Sequence, residues 1–195
     1  MIFKRRTKRY LILTPTEASL ALRALLHFRN KALARSIDPV DINIFIKKLH
    51  HILTYGTYAD RKENLRPGEF RLSKSKIGVP HKEIIPALSA LLKEYEKGAV
   101  DMERILDFHV RFEQIRPFED YNGRVGRLIM MKECLRHGVD PFIIDDKRRN
   151  QYYKGIACWD TDSDVLRMVC REAQTRFQGQ MELCRLMQYC RMPNY

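Results

Sequence analysis

From Ile115 to Arg127 the chain runs polar turn formers straight into an apolar helix, and two arginines stand three residues apart where that helix should begin. Cations suit the other end of a helix, because the N-terminal macrodipole is positive and the first N–H groups have no intrahelical acceptor. Arg124 and Arg127 therefore make physical sense around an anion. Asn122 and Gly123 can turn the backbone so that those N–H groups face a phosphate. Asp120, just outside the turn, is a natural ligand for a Mg2+ ion shared with phosphate oxygens.

The chain has 195 residues, 45% of them hydrophobic, enough for one substantial core. A formal net charge of +12 favours anionic partners: nucleotides, nucleic acid or acidic proteins. The run Lys4-Arg5-Arg6 with Lys8 and Arg9 reads as a solvated terminus, with contact to nucleic acid as the alternative. No apolar stretch approaches the roughly 20 residues that cross a bilayer, and the apolar run after the basic segment is too short for a signal peptide. A cytoplasmic protein with no membrane partner is expected. The five cysteines are odd in number and lack a Cys-x-x-Cys pair, which argues for reduced thiols over a zinc site or a disulfide framework.

Apolar periodicity predicts helices over residues 14 to 35, Asp38 to Tyr55, 82 to 96 and 100 to 115, and a helix carrying Val125, Leu128, Ile129, Met131 and Leu135. On the third of these, Ile84, Ile85, Leu88, Leu91 and Leu92 are expected to face inward. Another helix starts at Asp145-Asp146, and a long one starts at Asp162 or Ser163, with Gly179 as a point of interruption. His50 and His51 have no partner at metal-ligand spacing and suit a helix C-terminus. His109 is expected to pack or hydrogen-bond; it lies roughly 10 Å along the helix from residue 116, too far to act there as a base. Tyr152 and Tyr153 either border a base pocket or sit as amphipathic rings at the core edge. Between Gly56 and Pro80, Phe70 and Leu72, then Ile77 and Val79, alternate with polar residues around Ser73-Lys74-Ser75-Lys76, the pattern of a short hairpin.

The stretch around residues 116 to 127 resembles the Fic (Fido) motif, His-x-Phe-x-(Asp/Glu)-Gly-Asn-Gly-Arg-x-x-Arg. Phe118, Asp120, Asn122, Gly123, Arg124 and Arg127 match its fixed positions, Pro117 adds the usual residue after the histidine, and Arg116 and Tyr121 replace the histidine and the first glycine. The resemblance covers roughly residues 40 to 160. It implies a mostly α, Fic-type helical domain with a small β-hairpin flap, over residues 40–195 with a C-terminal helical extension, after a basic segment and helix over residues 1–39.

It also implies transfer of AMP from ATP to hydroxyls of a target protein. In that reading Tyr121, Asn122, Gly123, Arg124 and Arg127 hold the nucleotide and Asp120 holds Mg2+. The flap residues Phe70, Arg71, Leu72 and Ile77 hold an extended segment of the target, as a free strand edge can. The family's general base falls on Arg116, and a guanidinium has no acceptor and stays protonated. Activity is therefore expected to be weak, altered or absent. Tyr121 is strained if its backbone has positive φ, and packs beside the nucleotide if φ is negative. No Ser or Thr is followed four residues later by Glu, so the inhibitory helix of many relatives is missing, and a separate inhibitory protein is one way to restrain the site. The alternatives are a non-catalytic module that binds protein or nucleic acid, and an engineered inactive variant of an ordinary AMP transferase.

Overall fold

The computed structural model describes residues 39–54, 66–73 and 77–189. The helix expected over residues 14 to 35 and the N-terminal basic run lie outside the described residues, and the expected boundary at residue 39/40 falls where description begins. By contacts the chain divides into two compact units, Pro15–Pro141 and a second made of Phe142–Tyr195 with Met1–Thr14.

In the first unit, α1 spans Pro39–Thr54, with proline at the position where its missing N–H costs nothing. Ile46, Leu49 and Leu53 form its buried stripe, and Thr54 Oγ1 donates to the His50 carbonyl at 2.7 Å near its end. A 3-10 turn over His81–Glu83 leads into α2, Ile84–Tyr95. Ile84, Leu88, Leu92 and Tyr95 are buried along one face, while Ile85, expected inward, is 52% exposed because its neighbour Ile84 takes the inward position. Pro86 is tolerated because it sits in the first turn. Helix α3 spans Met102–Ile115, and the Asp101 side chain accepts from the Arg104 N–H at 2.9 Å as its N-cap. Helix α4 spans Asn122–Arg136. It ends through Gly138 at φ +67°, where the Val139 N–H reaches back to the Cys134 carbonyl at 2.9 Å.

Helices α2 and α4 are tied by a buried polar cluster. The Tyr95 hydroxyl donates to Glu133 Oε2 at 2.9 Å, and Lys132 pairs with Glu133 Oε1. Burial alone would neutralise both ions; Lys132 and the Tyr95 hydroxyl more than offset it for Glu133, whose carboxyl falls below its usual range. Helix α3 packs between α2 and α4, and α1 packs on α2 and α4. That arrangement sets the α3–α4 connection, residues 116 to 121, at one end of the bundle.

The expected hairpin is not shown. Among the described residues there is no strand, and residues 74–76 lie outside them. The two apolar arms direct their N–H groups at the α3–α4 connection: Arg71 donates to the Pro117 carbonyl at 2.9 Å and Val79 to the Ile115 carbonyl at 3.4 Å.

In the second unit, Phe142 and Ile144 are buried in an extended segment. The Asp145 side chain accepts from the Arg148 N–H at 3.0 Å and caps a 3-10 turn over Asp146–Arg148. Helix α5, Arg149–Ala157, packs on α6, Asp164–Tyr189. Gly155 makes this approach so close that a Cβ there would lie 2.7 Å from the Leu166 nitrogen and 2.8 Å from its Cα. Arg148 pairs with Glu172, and Arg176 with Asp145 at 3.4 Å. The interruption expected at Gly179 does not occur, since α6 runs through it with nothing crowding that position. Cys134, Cys158 and Cys170 are free thiols.

Candidate functional site

The connection between α3 and α4 is built from two left-handed residues. Arg116 ends α3 at φ +48°, ψ +66°, and Tyr121 precedes α4 at φ +65°, ψ +5°. The positive branch for Tyr121 is the one realised, and a β-carbon in that region costs roughly 1–2 kcal/mol. Its surroundings hold it there: the Asp120 carboxylate accepts the Tyr121 N–H at 2.8 Å, and the Arg124 guanidinium carbon lies 4.2 Å from the centre of its ring. Asn122, the first residue of α4, closes the loop. Its side-chain oxygen accepts from the Phe118 N–H and its side-chain nitrogen donates to the Phe118 carbonyl, each at 2.8 Å. Asn122 is 3% exposed, so its side chain fixes the loop and only its backbone N–H joins the open first turn. The Val125 N–H bonds the Tyr121 carbonyl at 3.0 Å, which leaves the N–H groups of Asn122, Gly123 and Arg124 ahead of the intrahelical ladder.

Phe118 is buried at 1% exposure and plugs the loop into the core. Below it lies His50, whose ring stacks on Phe118 with centroids 3.9 Å apart and planes 4° from parallel. His50 Nδ1 accepts the Gly68 N–H at 3.0 Å, so the ring proton sits on Nε2. Burial lowers its pKa to about 4, against the opposing pull of Asp120, and the ring is neutral at pH 7. His50 is thus a packing residue linking α1, the 66–72 segment and the motif loop. Its sequence signal is its one-turn spacing from the buried Ile46 and Leu53 stripe.

The flap residues separate by burial. Phe70 and Arg71 are 8% and 2% exposed, while Leu72 and Ile77 are 58% and 66% exposed. The Arg71 guanidinium donates to three backbone carbonyls: to Arg116 from Nε at 2.7 Å, to Ser73 at 3.1 Å, and to Val79. Gly78, at φ +107°, brings its backbone against the same place; a Cβ there would lie 2.9 Å from the Ile115 carbonyl oxygen and 3.0 Å from Arg116 Cβ. Glu119 adds a second fastening, accepting from Ser73 N at 3.2 Å and Ser73 Oγ at 2.8 Å. Phe70 and Arg71 anchor the flap to the motif loop, and Leu72 and Ile77 form its outer surface.

Beneath the first turn of α4, Arg127 and His109 lie with Glu113, to which the sequence reading gave no role. A Cβ on Gly123 would meet Arg127 Nη1 at 3.1 Å and Glu113 Oε1 at 3.3 Å; one on Gly126 would meet His109 Cε1 at 3.0 Å and Glu113 Oε1 at 3.1 Å. Burial lowers the His109 pKa to about 3, and Arg127 pushes the same way, so His109 is neutral. Burial raises the Glu113 carboxyl, while Arg127 and Arg116 act to lower it. The sequence signal for Glu113 is an acid one helical turn before Arg116, on a helix whose apolar stripe draws attention away from it.

For a metal, the described residues contain no group of three or more His, Cys, Asp or Glu able to hold an ion. A Mg2+ ion here would rest on Asp120 together with phosphate oxygens and water, which suits that ion's preference for few protein ligands. Asp120 stands immediately before the first turn of α4, where a single carboxylate would fit such an ion.

Residues 42–134 match the Fic/DOC family. That stretch is similar to a Fic domain. The chain is 27% identical over 143 residues to the protein adenylyltransferase Fic of Aedes aegypti, covering 69% of this chain and 27% of that protein. Over 45 residues it is 44% identical to the Drosophila yakuba protein of the same name, covering 23% of this chain and 9% of that one. Among solved structures, Fic-1 from C. elegans superposes with a TM-score of 0.69 at 19% identity, over 90% of this chain and 56% of that one. A Fic-domain signaling protein from Bacteroides thetaiotaomicron superposes at 0.63 and 17% identity, over 82% and 67%. The chain therefore spans about a quarter of the Aedes relative, and the structural likeness concerns the fold. Tyr152 is fully buried and Tyr153 is 43% exposed in the second unit, their ring centroids 5.4 Å apart. No helix among the described residues is long and apolar enough to cross a membrane.

Proposed function

We propose that the Fic-like domain binds ATP with Mg2+ at the N-terminus of α4 and transfers AMP to protein hydroxyls slowly or not at all in its present form. The observation that carries this reading is the turn from Asp120 through Tyr121, which presents the first N–H groups of α4 beside Arg124 and Arg127. In this reading the N–H groups of Asn122, Gly123 and Arg124 receive phosphate oxygens, Arg124 and Arg127 bind the distal phosphates, and Asp120 holds the ion. Bound Mg2+ supplies charge neutralisation on the phosphates. Arg116 stands where the base should be and brings a third cation to the same anion. A missing general base costs on the order of 10²- to 10⁴-fold in rate. The target's backbone would lie along the flap, with Leu72 and Ile77 as its apolar contacts and Phe70 and Arg71 holding the flap from behind. The adenylyltransferase relatives support AMP as the transferred group.

The test is transfer of label from α-phosphate-labelled ATP with Mg2+ to proteins of a cell lysate, by this chain and by its Arg116→His variant. Labelling at least about 100-fold greater with the variant is the expected outcome. Equal and substantial labelling by both would mean that another group serves as base, and labelling by neither would overturn the transferase reading.

A further inference from the structure

We propose that Glu113 is a positioning residue that holds Arg127 over the phosphate-binding turn and so gives the site its preference for nucleoside triphosphate over AMP. The inference rests on the nucleotide-binding reading above and deepens it.

Glu113 reaches the turn from α3, one helical turn before Arg116. Its Oε1 is sealed from solvent and makes no hydrogen bond. An unpartnered carboxyl oxygen in such a place is costly. What it faces is charge: Glu113 Oε1 and Arg127 Nη1 lie over the same point above Gly123, and Arg127 and Arg116 are the two cations acting on it. Gly123 and Gly126 make the room, since a Cβ on either would press on Glu113 Oε1.

Without that carboxyl, Arg127 would sit at a helix N-terminus close to two other arginines, and the macrodipole and its neighbours would drive it towards solvent. With it, the guanidinium is held over Gly123 by attraction from the α3 side, where an anion on the turn can meet it. A guanidinium fixed in this way favours ligands whose phosphates reach beyond the first. AMP has none, so its affinity should not depend on Arg127. A packing residue would behave differently: glutamine, isosteric and neutral, would replace it without changing which nucleotide is preferred.

The experiment measures ATP and AMP affinities, with Mg2+, by titration calorimetry for the full chain, Glu113→Gln, Arg127→Ala and the double variant. The expected result is a roughly tenfold loss of the ATP-over-AMP preference in Glu113→Gln with AMP affinity unchanged, the scale of one charge-assisted contact. The double variant should lose no more than Arg127→Ala alone. An unchanged preference in Glu113→Gln, a gain in ATP affinity, or additive losses would each overturn the proposal. Glu113→Asp, which keeps the charge, should retain more of the preference than Glu113→Gln; equal loss in both would also overturn it, and thermal unfolding of each variant shows that the comparison is between folded proteins. If the unaltered chain binds neither nucleotide, the nucleotide reading itself falls and takes this one with it.

Discussion

Two helix pairs in this molecule approach each other across a glycine, and they are filled differently. At Gly155 the facing atoms are the nitrogen, Cα and Cβ of Leu166, all within 2.8 Å of where a side chain would begin. At Gly126 they are the ends of side chains, the His109 ring and the Glu113 carboxyl. Backbone cannot move aside without displacing a helix, whereas a rotamer can yield. The first contact serves only to join α5 to α6. The second spends a well-packed site on ionisable groups, and it does so directly beneath the first turn of α4, the proposed anion site.

That contrast can be broken by adding the missing carbon. Gly155→Ala should cost about 3 kcal/mol, the upper part of the overpacking range, read as a lower urea midpoint. Gly126→Ala should cost less, about 1–2 kcal/mol, and most of the loss should return when His109→Ala makes space in the same chain, a coupling that a double-mutant cycle measures. No side-chain deletion opposite Gly155 should rescue its variant in that way. If Gly126→Ala proves as damaging as Gly155→Ala and His109→Ala restores nothing, the two approaches are equivalent and the contrast fails.

A smaller effect sharpens the electrostatic half of the comparison. Burial first, then Arg127, lowers His109 to about 3 from its ordinary 6.5. The unfolded chain therefore takes up a proton below pH 6.5 that the folded chain refuses, and stability falls as the pH drops from 6.5 towards 3. Between pH 6.5 and 5.5 this one ring should account for about 1 kcal/mol of lost stability. Urea titrations at the two pH values should show that difference shrink in a His109→Gln variant. A slope unchanged by the substitution would place the pH sensitivity elsewhere.

Much of the helical frame is legible in the sequence because apolar spacing reports burial. The stripe Ile46, Leu49 and Leu53 and the stripe Ile105, Phe108, Phe112 and Ile115 are both buried, and α1 and α3 begin and end within two residues of their expected limits. Periodicity fails where neighbouring apolar residues compete for one face, as Ile84 and Ile85 do. The alternation of Phe70 with Leu72 and of Ile77 with Val79 reads as a hairpin, yet alternation reports only which side a residue faces and says nothing about where its N–H points. Here those groups point at residues 115 and 117.

The motif residues were legible by resemblance, and the residues that support them were not. The backbone sign at Tyr121 depends on three-dimensional neighbours. Glu113 looks like a solvent-facing acid until α4 is laid against it, and His50, weighed as a metal ligand, is stacked on an aromatic ring. For Glu113 and His50 the missing information is a contact with another part of the chain, and for Tyr121 it is the local turn it makes with Asp120 and Arg124.

Arg71 carries one such contact to its furthest consequence. Its guanidinium meets the Arg116 carbonyl across 45 residues of sequence, and closing a loop of that length costs about 3 kcal/mol in chain entropy before any contact compensates it. The flap therefore belongs among the last parts of the chain to order during folding, after α2 and α3 have brought the two ends together. The edge proposed to receive a target protein is thus a late-forming piece of a frame whose helices are already set.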